Sequence, residues 1–288
     1  MRRHHFITLA VFAAALLPGC VDQPAEPQSR GATSAPQMAA LPDAGDFMPL
    51  ASGNHWTYDR TFSTIVVPED GPPPPPELIE EQVFLDHIEQ RVIGERTYIL
   101  EREVYSSESG ANERLLRQDR AGYYTLERTK DDGKVAARPV LSGAQRNLVH
   151  RIAARYGADP ASVQSHLTRI ETVERMLRGL HAAPPGGPDP GEIQTLAYPL
   201  HPGATWMIRP APFFSATVEG RERVAGLSSW RVRIDNEFLG ENDTVHIWYS
   251  RCGQVGWRFH FESIATNPQG NVIGTFVSDD IVRLVDTR

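Results

Sequence analysis

Apolar and polar residues alternate without a break in two segments of the C-terminal half. In residues 230–235 and 257–262 every second residue is apolar and the residues between them are polar. Because successive side chains of a β-strand point to opposite faces, this period of two predicts antiparallel strands with one buried and one solvated face. A looser form of the pattern predicts further strands at residues 57–67, 79–93, 96–105, 122–128, 216–224, 244–249 and 274–285. We therefore predict about ten to twelve strands, joined mostly by short turns.

The period changes to that of a helix between residues 142 and 181. Ser142 and Gln145 have the spacing of a capping box, and Gly157 is placed to end a first helix. Pro160 fits the first position of a second helix, with Asp159 as its cap. The apolar stripes are Leu148, Ile152 and Tyr156, then Val163, Leu167, Ile170, Val173, Leu177 and Leu180. We predict an inserted helical hairpin that covers an open end or face of the sheet, or, as the alternative, binds a membrane or a partner.

One motif occurs twice, 150 residues apart. Residues 49–56 and 199–206 both read Pro-Leu-x-x-Gly-x-x-Trp. The proline and glycine favour a turn, and the tryptophan favours the start of a strand with a buried face. We interpret the motif as a repeated strand-entry turn, with a duplicated carbohydrate-binding motif as the alternative.

The N-terminus has the organisation of an export signal. Arg2 and Arg3 precede an apolar run over residues 6–17, which is too short to span a bilayer. Residues 17–20, Leu-Pro-Gly-Cys, resemble the lipobox of bacterial lipoproteins, whose cysteine receives diacylglycerol and, after cleavage, an N-linked acyl chain such as palmitate. The resemblance implies a signal peptide at residues 1–19 and a lipid anchor on Cys20, with plain secretory cleavage as the alternative. Val21 implies, by similarity to enterobacterial sorting, an outer-membrane lipoprotein facing the periplasm.

The next segment, residues 20–46, has the composition of a disordered tether. It is rich in Pro, Ala, Ser and Gln and poor in large apolar residues, so we expect the β-rich domain to occupy residues 47–288. Loss of the signal removes two of the 29 basic residues, which leaves 27 against 36 acidic residues and a formal charge of −9. So acidic a chain is not expected to bind nucleic acid. We expect its contact with the membrane to be the lipid on Cys20.

The cysteines fit this interpretation. Lipidation of Cys20 would leave Cys252 as the only thiol, so no intrachain disulfide is expected. Cys252 lies in a Ser-Arg-Cys-Gly turn without a neighbouring histidine, which favours a structural role over a reactive one.

The sequence contains no familiar catalytic or cofactor-binding motif. Residues 226–230 only approach the Gly-x-Ser-x-Gly elbow of hydrolases, and neither His-Glu-x-x-His nor a glycine-rich phosphate loop occurs. His150 and His166 could meet across the helical hairpin, but two histidines make a poor metal site. The pairs at 80–81, 131–132 and 279–280 are not expected to form catalytic dyads, because neighbouring strand residues point to opposite faces. We therefore predict no catalytic residues, no metal and no cofactor, and a protein that is not an enzyme.

Three segments together resemble a known set of proteins. They are residues 47–58, residues 198–206 and residues 247–256. The last of the three segments reads Ile-Trp-Tyr-Ser-Arg-Cys-Gly-Gln-Val-Gly. In this order they resemble uncharacterised bacterial lipoproteins of the DUF3108 or TapB-like kind. The resemblance implies a mainly β fold with a single large antiparallel curved sheet or half-barrel. Such a sheet is loosely similar to that of the lipoprotein carriers LolA and LolB. The resemblance implies no activity. The helical hairpin and the turn at residues 251–254 depart from that pattern.

A curved sheet with aromatic side chains on its inner face suggests a binding function. We expect a non-catalytic module that binds a hydrophobic ligand such as a lipid or peptide. The candidate ligand-binding residues are Trp56, Trp206, Trp230, Trp248, Trp257, Phe259 and Phe261. Ordinary core packing is the alternative role for each of them. A structural lipoprotein that docks another envelope protein is the second hypothesis, and an enzyme of unfamiliar type is the third.

Overall fold

The computed structural model describes residues 50–107, 111–126, 140–177, 192–210 and 212–287. The predicted signal peptide, the lipidation site Cys20 and the whole predicted tether lie outside these residues. The acidic pair at 131–132 and the predicted end of the helical hairpin at 178–181 lie outside them as well. Within the described ranges, none of the helices has the length and hydropathy to cross a membrane.

Twelve strands and two helices make up the described chain. The strands are β1 (His55–Pro68), β2 (Glu77–Ile93), β3 (Arg96–Tyr105), β4 (Ala111–Asp119), β5 (Gly122–Leu126), β6 (Glu192–Ala197), β7 (Thr205–Arg209), β8 (Phe214–Val224), β9 (Leu227–Asn236), β10 (Thr244–Ser250), β11 (Gly253–Thr266) and β12 (Val272–Thr287). The helices are α1 (Gly143–Arg155) and α2 (Pro160–Leu177), and both lie between β5 and β6.

All twelve strands belong to one antiparallel sheet. The strand order is β6-β5-β4-β3-β2-β1-β12-β11-β10-β9-β8-β7, so β1 to β6 form one meander and β7 to β12 form another. The two meanders join through the ladder between β1 and β12, which pairs Phe62 with Asp280. The edge strands β6 and β7 lie against each other and leave the sheet nearly closed. The predicted fold class, a single curved antiparallel sheet with an inserted helical hairpin, is confirmed.

The repeated motif opens the first strand of each meander with the same turn. In the first copy the amide of Asn54 donates to the carbonyl of Ala51, and Gly53 has a φ of +91°. In the second copy the amide of Ala204 donates to the carbonyl of His201, and Gly203 has a φ of +82°. Both glycines are in the left-handed region, which glycine enters at no steric cost. The interpretation as a repeated strand-entry turn is confirmed.

The starts of both predicted helices and the end of the first are also confirmed. At the start of α1 the amide of Gln145 donates to the Ser142 hydroxyl, and the Gln145 side chain accepts from the Ser142 amide, which completes the capping box. Gly157 follows α1 with a φ of +69°, where a helix is commonly ended. Pro160 is the first residue of α2, where its missing amide hydrogen costs no helical hydrogen bond.

The helical hairpin covers part of the inner face of the sheet. α1 packs against β1 and β2, and α2 packs against β11. Apolar residues of both helices, including Leu148, Val149 and Ile170, share one buried core with inner-face residues such as Phe62 and Phe276. The predicted use of the hairpin, as a cover for a face of the sheet, is therefore confirmed.

Cys252 differs from the expectation. Its side chain is buried and is disulfide-bonded, so the expected unpaired thiol is wrong for the structure. The chain has one other cysteine, Cys20, which lies outside the described residues. The backbone at Cys252 is fixed as well, because its carbonyl accepts a hydrogen bond of 2.8 Å from the Trp56 indole.

Candidate ligand cavity in the half-barrel

A cavity lies in the part of the inner face next to the end of α2. Its volume is about 70 Å³, and Met176 and Leu177, the last two residues of α2, form one boundary. Side chains from β2 to β11 form the rest of its lining. The cavity is therefore enclosed by the sheet on most sides and by the helical hairpin on one.

The two meanders give the cavity two different walls. On the side of β3 to β6 the lining includes Glu103, Arg114, Tyr123, Thr125 and Thr195. On the side of β7 to β11 it includes Ile208, Phe214, Ile234, Ile247, Trp257 and Phe259, with Arg209, Tyr249 and Gln254 as the polar members. We call these surfaces the polar wall and the apolar wall. A molecule that fills the space between them meets polar groups on one side and apolar groups on the other.

The polar wall is organised around Arg114 on β4. Its Nε donates to Glu101 on the neighbouring strand β3, and the other carboxylate oxygen of Glu101 lies 3.3 Å from Nε2 of His87. Burial raises the pKa of Glu101, but the charge of Arg114 and the hydrogen bond to His87 outweigh it and lower the pKa to about 2. Burial lowers the pKa of Arg114, and Glu101 more than reverses this. Both groups are therefore ionised at neutral pH.

Two tyrosine hydroxyls lie beside Arg114 at the cavity. Burial raises the pKa of Tyr123 well above its usual value, and burial likewise raises that of Tyr249, against the opposing charge of Arg114. Both hydroxyls therefore keep their protons and can donate hydrogen bonds. The Tyr123 hydroxyl is buried and has no hydrogen-bond partner among the described residues. Such a group costs free energy unless a water or a ligand satisfies it.

The predicted aromatic residues divide between this cavity, the core and the outer face. Trp257 and Phe259 line the cavity, and Trp56 lines a small hollow beside it with His87, Glu101 and Arg114. The others on the inner side, Trp206, Trp230 and Phe261, pack into the core around it.

The placement of Trp248 on the inner face is wrong. Its neighbours Ile247 and Tyr249 line the cavity, so the alternation of the strand turns Trp248 to the outside. There its indole donates to Glu222 and its ring lies beside His246. The alternation of β10 sets Val245, Ile247 and Tyr249 on one face and Thr244, His246 and Trp248 on the other, so Trp248 belongs to the more polar face.

A second group of buried charges lies under the helical hairpin. Arg60 donates to Asp280 at 2.5 and 2.9 Å and to Glu81 at 3.1 Å, and an oxygen of Glu174 lies 3.6 Å from its Nη2. Burial raises the pKa of Glu174 well above its usual value, and the neighbouring Asp280 raises it further, against the charge of Arg60. This cluster links α2 to β1, β2 and β12. Arg60 and Glu81 also line another hollow, of about 770 Å³.

The described histidines and acidic pairs form no further site. His166 is buried, with its two ring nitrogens 2.8 Å from the hydroxyls of Ser263 and Ser278, and burial lowers its pKa to about 3. His150 is exposed on α1. No group of three potential metal ligands occurs among the residues the structure describes. In the described pairs Glu80-Glu81 and Asp279-Asp280, the second residue is buried on the inner side of the sheet and the first faces outward. This is the arrangement that the alternation of strand residues predicted.

The polar wall was not predicted from the sequence. Arg114 and Tyr123 belong to β4 and β5, where polar residues face inward and interrupt the apolar alternation. β4 and β6 were missed as strands for the same reason. The one signal was the alternation of Glu101, Glu103 and Tyr105 on β3, a row of polar side chains on the face that the ladders turn inward.

Comparison with known proteins shows no family for this chain. No protein-family model matches it, and no curated protein matches it. It is similar to a solved structure from Bacteroides fragilis, described as an exported protein with a YmcC-like fold, at 10% identity over 83% of this chain and 99% of that one, with a TM-score of 0.30. It is also similar to one from Parabacteroides distasonis, described as a lipoprotein, at 8% identity over 84% and 97%, with a TM-score of 0.27. The resemblance to the DUF3108 or TapB-like lipoproteins stays a prediction.

Proposed function

We propose that this chain is a lipoprotein of the bacterial cell envelope whose half-barrel binds an amphiphilic small molecule. The lipobox-like residues 17–20 support the envelope location and the anchor on Cys20. The single observation that supports binding is the cavity between the polar and apolar walls. Convergent polar groups that face an apolar wall are typical of small-molecule sites.

The size of the cavity constrains how a ligand binds. Small-molecule sites usually enclose about 300–1,000 Å³, whereas this cavity measures about 70 Å³. We infer that one end of the ligand occupies the cavity and that the remainder displaces Met176 and Leu177 at the end of α2. Methionine suits this role because its unbranched side chain adapts to different shapes.

The route for the rest of the ligand is the gap between the edge strands. β6 and β7 are neighbours without a connecting ladder, and both contribute lining residues, Ile193 and Thr195 from β6 and Ile208 and Arg209 from β7. This is the one place in the described sheet where adjacent strands can separate without breaking paired backbone hydrogen bonds.

The proposal is tested by native mass spectrometry of the mature chain extracted from envelopes. We expect a species heavier than the lipidated chain whose excess mass is lost on solvent extraction, whereas the covalent anchor remains. Ile193→Phe fills the cavity and should abolish the extra mass, and Ile264→Phe, at an exposed site on β11, should keep it. A chain that carries only its anchor would overturn the proposal and support a scaffold that docks another envelope protein.

A further inference from the structure

The cavity exposes the outer edge of the Arg114 guanidinium. Its Nε donates to Glu101, whereas its two Nη groups make no hydrogen bond among the described residues. The side chain is 26% exposed although it lies inside the half-barrel, and it lines the cavity. The accessible part of the Arg114 side chain therefore lies at this cavity and at the small hollow beside it, and the hydrogen bond to Glu101 holds the guanidinium in place.

Tyr123 adds a second donor at the same place. It is 5% exposed, it lines the cavity, and its hydroxyl has no partner among the described residues. Tyr123 and Arg114 are also close enough to affect each other electrostatically. A hydrogen-bond acceptor placed between them would give the buried Tyr123 hydroxyl a partner that it otherwise lacks among the described residues.

The nearby charges are balanced. Glu101 is paired with Arg114, and Glu103 accepts hydrogen bonds from Tyr105 at 2.7 Å and Asn112 at 3.1 Å. Across the cavity, Arg209 on β7 adds a positive charge whose pKa burial lowers. A ligand anion would offset that burial of Arg209 and would accept from the Tyr123 hydroxyl. The two guanidiniums and this hydroxyl therefore favour an acceptor with negative charge, against the charge of Glu103.

We propose that the cavity binds the carboxylate of an acidic amphiphile, such as a long-chain fatty acid, through Arg114 and Tyr123. The Nη edge of Arg114 and the Tyr123 hydroxyl donate to the two carboxylate oxygens, a geometry that a planar guanidinium matches well. The alkyl chain lies along Trp257 and Phe259 and leaves past Met176. This inference rests on the proposed function, because it names the ligand class for the same cavity.

The test compares three ligands of equal chain length. Residues 21–288, which contain the whole described fold, are exported behind a signal peptide without a lipobox and titrated with dodecanoate, dodecan-1-ol and dodecylamine, with tryptophan fluorescence as the readout. We expect dodecanoate to bind at least about tenfold more tightly than the alcohol or the amine. Equal binding of all three would overturn the carboxylate inference and leave the proposed function standing. No binding of any would overturn both.

Tyr123→Phe removes one donor without removing a hydrogen bond of the described protein. We expect it to weaken dodecanoate binding about tenfold, to leave dodecan-1-ol binding unchanged and to keep the fold. Tyr124→Phe is the matched control, because Tyr124 is the next residue and lies under Arg117, away from the cavity. Arg114→Lys keeps a positive charge beside Glu101 but loses the planar guanidinium and its several donors. We expect it to weaken dodecanoate binding about tenfold and to leave dodecan-1-ol binding unchanged. Equal affinities for Tyr123→Phe and Tyr124→Phe would show that Tyr123 does not contact the carboxylate.

Discussion

Two neighbouring aspartates on β12 show how the environment decides the role of a residue. Asp280 points inward, is 1% exposed and accepts hydrogen bonds from Arg60 at 2.5 and 2.9 Å. Asp279 points outward and accepts from Arg258 at 2.7 and 2.9 Å in a partly solvated position. The hydrogen bonds are alike, but only the inner pair is removed from water. Its loss therefore leaves an uncompensated buried charge.

We predict that Arg60→Leu lowers the free energy of unfolding by about 3–5 kcal/mol, because Asp280 and Glu81 would lose their cation. Arg258→Leu is the matched control on the outer face, and we expect it to cost less than about 1 kcal/mol. Urea unfolding followed by tryptophan fluorescence measures both. Equal costs for the two variants would contradict the prediction.

Glu174 is expected to make stability depend on pH. Its folded pKa is raised by burial and by Asp280, against the lowering effect of Arg60, so the folded protein keeps a proton that the unfolded chain releases above its usual pKa of 4.5. The contribution of Glu174 to stability is therefore complete below about pH 4.5 and falls as the pH rises toward the folded pKa.

We predict that Glu174→Gln removes this loss. The stability of the variant relative to the unchanged protein should rise by about 1.4 kcal/mol for each pH unit above about 4.5 until the folded pKa is reached. Urea unfolding at several pH values provides the measurement. Glu171→Gln, on the same helix and paired with the partly exposed Arg146, serves as the control and should give a difference that does not grow in this way. A Glu174→Gln difference that is independent of pH would show that Glu174 is ionised in the folded protein.

At the scale of elements, local signals and tertiary signals contribute differently. The helical hairpin was predicted from its capping box, its glycine stop and its initial proline, all of which act within a few residues. β4 and β6 were missed, because their inward positions carry polar residues that only the polar wall explains. Sequence patterns therefore succeed where an element follows local rules, and they fail where a strand faces a polar interior.

We predict that Ser142→Ala lowers the free energy of unfolding by about 1 kcal/mol, because the amide of Gln145 would lose the hydroxyl that it donates to. Hydrogen exchange at the amides of residues 143–146 should become faster as well. Ser162→Ala is the control, since the Ser162 hydroxyl donates to the Asp159 carbonyl in the first turn of α2 and caps no amide. Equal changes in the two variants would contradict the role of the capping box.

At the scale of the whole molecule, the sheet is a doubled unit with unequal joints. Each meander has six strands and begins with the same turn, at Gly53 and at Gly203. β12 pairs with β1 along a full ladder, whereas the corresponding strands β6 and β7 only lie side by side. The paired joint gives the molecule its continuous core, and the joint without a ladder is the entrance that we propose for the ligand.

The chemistry of the two cysteines makes a testable prediction for the intact protein. A thioether to diacylglycerol would leave Cys20 no sulfur for a disulfide, so the proposed anchor on Cys20 and an intrachain disulfide at Cys252 exclude each other. For the proposed anchored form we expect Cys252 to react with iodoacetamide in denaturant without reductant. Labelling of Cys252 only after reduction would show that its disulfide persists and would contradict the proposed anchor.

By itself, the sequence determined the many antiparallel strands, the helical hairpin, the repeated turn and the lipobox-like N-terminus, because each depends on short-range periodicity or on contiguous residues. The single curved sheet was implied by the resemblance to bacterial lipoproteins. Only the tertiary structure decided where those elements meet. It brought Arg114 and Tyr123 of one meander to face Trp257 and Phe259 of the other, across a cavity that no single segment encodes. It also placed Trp248 outside and Asp280 inside. The physical reason is that strand pairing and sheet curvature, which join residues far apart in the chain, determine which face of each strand becomes the interior.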